Sequence, residues 1–347
     1  VMRKLFGRAA YIFPFLTAFP NAYQPSWLIE GLATYVETDK ERGIGRGQSS
    51  YFDMLMRVEV KDGFKTLRHV NVPLVTEWPM NSTRYLYGVH FFQYMEEKYG
   101  KKKIVELIDN YSDNIIPWRV NSNAYRTVGK DMWGLWDEFE LAMKAKYKPQ
   151  WQAVKERGEV IGKRITTEGY FTGPLQVSAR GDIYYIDYNA DKNMALKVIH
   201  PEKKGAYSAA KELTELRIGA RFDLHEQAGI IMARPERCRN AAIYYDLYHI
   251  NPTSGAETRL THCARYRTVS WSADGKQLMA VKNGLAKNEL HLLDANGQYK
   301  ETLWKGNYAE VIASIDWSPT ENILIASVFR PDTGWNLEKF DVATKQW

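Results

Sequence analysis

A strand–turn–strand pattern recurs through the second half of this chain at a spacing that one sheet cannot absorb. Residues 269–280, with Trp271-Ser272-Ala273-Asp274-Gly275 at the turn, are echoed by residues 315–326, with Trp317-Ser318-Pro319. A weaker copy covers 177–186, and a degenerate one covers 223–231. Aligned at positions 178, 224, 272 and 318, the copies step by 46, 48 and 46 residues. Turn residues also recur between copies, at Asn251-Pro252-Thr253-Ser254-Gly255 and Asp294-Ala295-Asn296-Gly297. A unit of that length forms a small four-stranded sheet, which cannot bury both of its faces alone. The spacing therefore predicts all-β repeats over 169–347, about four blades stacked face to face as in a β-propeller.

These repeats resemble the blades of TolB-like propellers, whose turns often carry Trp-Ser-Pro-Asp-Gly. Here Trp271-Ser272 keeps Asp274-Gly275, and Trp317-Ser318 keeps Pro319, but no copy has the whole string. Propellers of this kind normally close with about six blades, so the resemblance implies an incomplete ring, because an open fan exposes strand edges. A short open array, or blades packed on the first half, is the other arrangement open to four copies. The resemblance also implies an exported bacterial protein, periplasmic or extracellular.

The first half carries a different period. Trp27 to Glu37 reads as a helix with Ser26 as its cap and Pro25 just outside. Tyr85, Gly88, Val89, Phe92 and Met95 recur at helical spacing within 83–99, and Gly100 supplies a stop. Residues 102–111 read as a short third helix. Asp131 opens a fourth, whose lysines at 144, 146 and 148 suit a helix C-terminus. Arg42 to Ser50 is glycine-rich and polar, as a surface loop requires. The expected organisation is a mainly helical domain over 1–150, a linker over 151–168 and the repeats after it. A length of 347 residues suits two domains better than one core.

Composition excludes several classes. No apolar run approaches the roughly 20 residues of a bilayer-spanning helix. The formal charge of +6 comes from 47 basic and 41 acidic residues, with no basic stripe interleaved with aromatics, so nucleic acid is not an expected partner. Two cysteines, Cys238 and Cys263, are too few for a disulfide scaffold or a cysteine zinc site. They are enough for one bridge.

The segment Trp27-Leu28-Ile29-Glu30-Gly31-Leu32-Ala33-Thr34-Tyr35-Val36-Glu37 resembles the downstream signature of gluzincin metallopeptidases, in the aminopeptidase-type form Trp-Leu-x-Glu-Gly-x-Ala-x-Tyr-x-Glu. A catalytic zinc takes three protein ligands and keeps a position for water. In that family two ligands are histidines of a His-Glu-x-x-His helix, and the third is the glutamate matching Glu30. The resemblance implies Glu30 as metal ligand, Glu37 as a carboxylate orienting a histidine, and a small Gly31 for close helix approach. Tyr85-Leu86-Tyr87-Gly88 resembles the family's Tyr-x-Lys-Gly element, which implies Tyr85 as the catalytic hydroxyl that stabilises the oxyanion, with Tyr87 where lysine is usual. Trp27 and Tyr35 read as core or cleft-wall aromatics.

The other half of that signature does not occur: residues 1–29 contain no histidine. Two readings follow. In one, the chain belongs to a longer zinc peptidase acting on peptides or proteins, and by itself is inactive and holds no zinc. In the other, a degenerate peptidase domain and a propeller form a non-enzymatic protein-binding scaffold. The two ends, Val1 in mid-pattern and Trp347 just past a strand, point to the first. Residues 19–21, Phe-Pro-Asn, are expected to form an extended strip leading into the cleft. His90 reads as a core or surface histidine, and His225-Glu226 as blade residues beside a turn, since position 229 is glycine.

Overall fold

The computed structural model describes residues 24–74, 77–112, 114, 118–166, 171–189, 192–239 and 241–347. The chain divides into two compact units, Val1–Gly162 and Lys163–Trp347. The strip expected at 19–21 lies outside the described residues.

The described part of the first unit is helical: α1 (Ser26–Val36), α2 (Ser50–Asp62), α3 (Leu67–Asn71), α4 (Thr83–Tyr99), α5 (Lys101–Ser112), α6 (Val120–Val128) and α7 (Met132–Glu156). Helix α4 is buried on more than one side, with Leu86, Tyr87, Val89, Phe91, Phe92 and Met95 all sealed from solvent. That distribution makes it the central helix rather than a one-sided surface helix. Trp27 of α1, Phe91 of α4 and Trp136 and Phe139 of α7 interlock mostly edge to face around it, the arrangement that ring quadrupoles favour. Gly100 ends α4 at φ +85, and the Asp131 side chain accepts from Gly134 N–H at the start of α7.

Two local expectations shift. Pro25, not Ser26, occupies the cap position of α1, and its carbonyl accepts from Leu28 N–H while Ser26 is already helical. Helix α7 continues through Pro149 to Glu156, past the lysine cluster. Tyr147 is fully buried two residues before the proline, so packing holds the helix where propensity alone would end it. Helix α2 is capped by the Ser49 hydroxyl and buries Phe52, Leu55 and Met56 at helical spacing, a signal the sequence reading missed.

The second unit consists of four antiparallel sheets in sequence order. Blade 1 is β1 (Phe171–Val177), β2 (Ile183–Tyr188), β3 (Ala195–Ile199) and β4 (Lys211–Glu215). Blade 2 is β5 (Arg221–His225), β6 (Gly229–Cys238), β7 (Ala242–Ile250) and β8 (Glu257–Arg259). Blade 3 is β9 (Tyr266–Trp271), β10 (Gln277–Asn283), β11 (Asn288–Asp294) and β12 (Tyr299–Lys305). Blade 4 has three strands, β13 (Val311–Trp317), β14 (Ile323–Arg330) and β15 (Gly334–Asp341). Each repeat copy is the hairpin joining the first two strands of a blade, including the degenerate one at β5–β6.

Strand alternation explains the stacking. Ile230 and Met232 of β6 join Leu196 and Val198 of blade 1, while Ile231 and Ala233 join Val269 and Leu278 of blade 3. Met279 and Val281 of β10 turn the other way, onto Leu324 and Phe340 of blade 4. One sheet thus feeds two cores, as a period of two residues dictates.

The first strands are also tied to one another. Gln176 of β1 donates to Asp223 of β5 at 3.3 Å; Ser270 Oγ and Trp271 N–H of β9 donate to the same carboxylate at 2.8 Å each. Ser270 Oγ in turn accepts from Trp317 N–H of β13 at 3.0 Å. His225 and Glu226 serve the same end. The His225 ring meets the Ala273 carbonyl of blade 3 at 3.1 Å, and Glu226 accepts from Ala179 N–H of blade 1 at 2.5 Å. A Cβ on Gly275 would fall 2.7 Å from that ring, so the Asp-Gly turn, at φ +67, needs its glycine twice over.

Cys238, at the end of β6, is bridged to Cys263, just before β9, with the Cα atoms 5.4 Å apart. The fully buried Asp246 carboxylate braces that loop, accepting from Cys263 N–H, Ala264 N–H, Thr261 Oγ1 and Arg259 Nη2 at 2.7–3.0 Å.

Candidate functional site

The signature segment lies on α1, and seven residues separate Glu30 from Glu37, two helical turns, so both carboxylates emerge on one face. Opposite lies α4, which carries Tyr85. Gly31 and Gly88 let the two helices touch through backbone: a Cβ on Gly31 would sit 2.3 Å from Gly88 Cα. Gly31 therefore does permit close approach, and the helix it meets among the described residues is α4.

A residue that the sequence did not single out organises this face. Past α1 the chain folds back, with Asp39 and Ile44 exchanging backbone hydrogen bonds and Gly45 at φ +95 lying against the Glu37 carbonyl. Gly47 N–H donates to Thr38 Oγ1 at 3.0 Å, and Gln93 of α4 donates to the Gly47 carbonyl at 2.6 Å. These contacts set Arg46 over the site. Its guanidinium grips Glu37 through Nε and Nη2 at 2.5 and 3.0 Å and lies 4.8 Å above the Tyr85 ring. Arg46 is held protonated beyond its usual range, first by the Glu37 hydrogen bond, with Tyr85 and Glu30 adding attraction. Glu37 is correspondingly lowered, chiefly by Arg46. The structure so sets Arg46 on Glu37 and over Tyr85, with Glu30 two turns before Glu37 on α1. The flanking glycines at 45 and 47 were the available signal, since a loop that tight aims the side chain between them.

Neighbouring residues have other duties. Trp27 is sealed in the core and its indole donates to Asn71 at 2.8 Å. Tyr87, where lysine is usual in the resembled family, is fully buried; it donates to Glu59 at 2.5 Å and accepts from Lys65 N–H at 2.8 Å. Burial raises both of those side chains above their ordinary pKa values. His90 is a core histidine, with Nδ1 at 2.8 Å from the Leu86 carbonyl and Nε2 at 3.1 Å from the Tyr147 hydroxyl.

The donor set does not fit a zinc ion. Glu30 is a single carboxylate, and no group of three His, Cys, Asp or Glu side chains among the described residues could hold a metal. The only other histidine of this unit, His69, contacts the capping Thr66 hydroxyl at 3.0 Å.

No protein-family model and no curated protein matches this sequence. Solved structures do, over its propeller half. A TolB-type protein of Agrobacterium tumefaciens is 15% identical over 50% of this chain and 64% of its own, with a TM-score of 0.39. TolB of Acinetobacter baumannii is 15% identical over 50% of this chain and 42% of its own, with a TM-score of 0.38. The second unit resembles TolB-like propellers. Prolyl oligopeptidase B of Galerina marginata, 14% identical over 50% of this chain and 24% of its own, has a TM-score of 0.36. This chain spans less than two thirds of the length of each of the three, and the blade order seen here rests on its own sheets and cores. Among the described residues no helix is long and apolar enough to cross a membrane.

Proposed function

We propose that this chain acts as a binding scaffold, pairing a helical domain of metallopeptidase-like design with a propeller that takes a protein partner. One observation carries the reading: Arg46, held by a loop folded onto α1, grips Glu37 and covers the Tyr85 ring, in a sequence without a His-Glu-x-x-His motif. The Cys238–Cys263 bridge supports an oxidising compartment, periplasmic or extracellular.

The gathering of Glu30, Glu37 and Tyr85 on one face favours a second reading, a zinc peptidase in which those roles are kept and the histidines come from sequence outside this chain. Both readings leave the chain as it stands without zinc, so the deciding test is metal titration of a form extended by any native sequence that precedes Val1. Zinc added to it, followed by metal analysis after desalting and by hydrolysis of a mixed fluorogenic peptide library, should give neither stoichiometric metal nor metal-dependent cleavage. One zinc per chain, lost in Glu30→Gln, overturns the scaffold reading.

A further inference from the structure

A cleft of about 300 Å³ opens between blades 1 and 2, lined by Glu215, Arg217, Arg234, Glu236 and Glu257 beside Thr214 and Leu216. Its origin is visible along β6. Ile230, Met232, Arg234 and Glu236 alternate onto the face toward blade 1. The first two build the dry core with Leu196 and Val198, and the next two are charged. Apolar residues at 234 and 236 would have continued that core, and a largely buried ion pair seldom stabilises more than a well-packed apolar pair does. The switch from dry to charged leaves a polar cleft, across which Thr214 donates to Glu257 and Arg217 pairs with Glu236.

The charges there do not balance. Arg234 stacks on Tyr248 at 3.7 Å, pairs with Glu257 at 2.8 Å and lies 3.8 Å from Glu236; Arg217 pairs with Glu236 at 3.2 Å. Two guanidiniums thus answer two carboxylates. The third, Glu215, meets the neutral Asn193 amide at 3.2 Å. Among the described residues the cleft is left one negative charge in excess, beside the apolar Leu216 and next to arginines that repel any cation not placed at Glu215.

We infer that this cleft is a binding site for a primary ammonium on an aliphatic stem, the chemistry of a lysine side chain presented by a peptide, with the ammonium on Glu215 and the methylenes along Leu216. The inference names a ligand chemistry for the propeller and does not depend on the zinc question, which concerns the other unit.

The test uses the whole chain, titrated by calorimetry and by amide shift changes at residues 214–217 and 234–236. Three probes are compared: N-acetyl-lysine amide, its uncharged isostere N-acetyl-norleucine amide, and glycinamide as a free α-amine. Expected is saturable binding of the lysine probe, at least tenfold weaker binding of norleucine, and a tenfold loss in Glu215→Gln, whose exposed position leaves the fold intact by circular dichroism. Tighter binding of glycinamide than of the lysine probe would assign the site to a peptide N-terminus and overturn the lysine assignment. Equal binding of lysine and norleucine probes, or a Glu215→Gln variant that binds as well as the parent, would overturn the site. The zinc titration reads none of these outcomes, so failure here leaves that reading where it stands.

Discussion

Gly31 and Gly88 face each other across α1 and α4 with no room for a side chain: a Cβ on Gly88 would lie 2.3 Å from the Trp27 carbonyl oxygen and 2.4 Å from Gly31 Cα. Both positions are backbone against backbone, so a methyl group cannot be met by rotating a side chain. The helices must separate, and Trp27, Phe91 and Trp136 lose their fit at once. Gly31→Ala should therefore destabilise by about 3 kcal/mol or more, at or above the usual range for overpacking. Gly88→Ala should do the same. Gly162→Ala, with nothing within 4 Å of its Cβ, is the control and should be neutral. Urea melts of the three variants check this; a Gly31→Ala midpoint equal to the parent's would mean that the crossing is looser than described.

The Arg46–Glu37 pair is bidentate but about two-fifths exposed at each side chain. Solvent screens such a pair, so a double-mutant cycle with Arg46→Met and Glu37→Gln should give a coupling on the order of 0.5–1 kcal/mol, decreasing as salt is raised. Arg46→Met alone should also free Tyr85 from its cation, seen as altered tyrosine fluorescence. A coupling that is zero at low salt would remove Arg46 from the centre of this face.

Glu138 of α7 gathers Lys98, Tyr94 and Tyr99 from α4 together with Lys130, and these partners hold its carboxyl down at about 2, Lys130 first. A carboxyl lowered by folding adds stability that is fully present above its unfolded value, near 4.5, and is lost as pH falls toward 2. After allowance for solvent at these exposed lysines, the contribution is on the order of 1 kcal/mol. Glu138→Gln should be less stable than the parent at pH 7, and the difference should shrink as pH falls below about 4.5 and be largely gone at about 2. Thermal melts across that range measure it. A gap that is unchanged at pH 2.5 would show that the glutamate acts through packing instead of charge.

The sequence was most legible where a period had to be obeyed. The 46-residue step located all four first hairpins because each blade repeats one physical problem, a small sheet with two faces to cover. The helix spacing around Tyr85 and the stop at Gly100 were equally plain. Less legible were the long-range decisions. Nothing local says that α7 runs through Pro149, because Tyr147's burial decides it. Arg46 stands in a glycine-rich loop, and only the fold-back to Thr38 and Gln93 places it over Tyr85. The charged end of β6 reads as ordinary strand polarity until its alternation is followed onto the blade 1 face. Cys238 and Cys263, 25 residues apart, gave no pairing rule of their own; the β6–β7 hairpin and the Asp246 brace bring them together.

That bridge closes a loop between the end of β6 and the entry to β9. Cross-linking over that distance removes conformations from the unfolded chain worth about 3 kcal/mol in the chain-entropy model. Cys238→Ser with Cys263→Ser should lower the urea midpoint of the propeller unit accordingly, and a reductant should shift the parent to the same value. The helical unit, which holds no cysteine, should melt as before in both cases. Equal loss in the two units would contradict the local role given to the bridge.

Ser270 carries two inter-blade bonds on one hydroxyl, donating to Asp223 of blade 2 and accepting from Trp317 N–H of blade 4. Ser270 and the Trp317 backbone lie out of solvent's reach, and burial raises the Asp223 carboxyl above its usual range. Ser270→Ala removes one donor from a carboxylate that already opposes folding when ionised, and leaves the Trp317 amide unpaired. Two such losses should cost about 2–3 kcal/mol. The sign with pH is the reverse of that for Glu138: a carboxyl raised by folding weighs least against the fold below its unfolded value, near 3.8, and increasingly as pH rises through its folded one. Losing the Ser270 donor leaves the ionised form less supported, so the destabilisation by Ser270→Ala should be larger at pH 7 than at pH 4. Unfolding followed by the fluorescence of Trp271 and Trp317, which flank this bond on either side, measures both. A Ser270→Ala loss that does not change between those two pH values would show that the hydroxyl matters only to the Trp317 amide, and would take Asp223 out of the contact that ties the blades together.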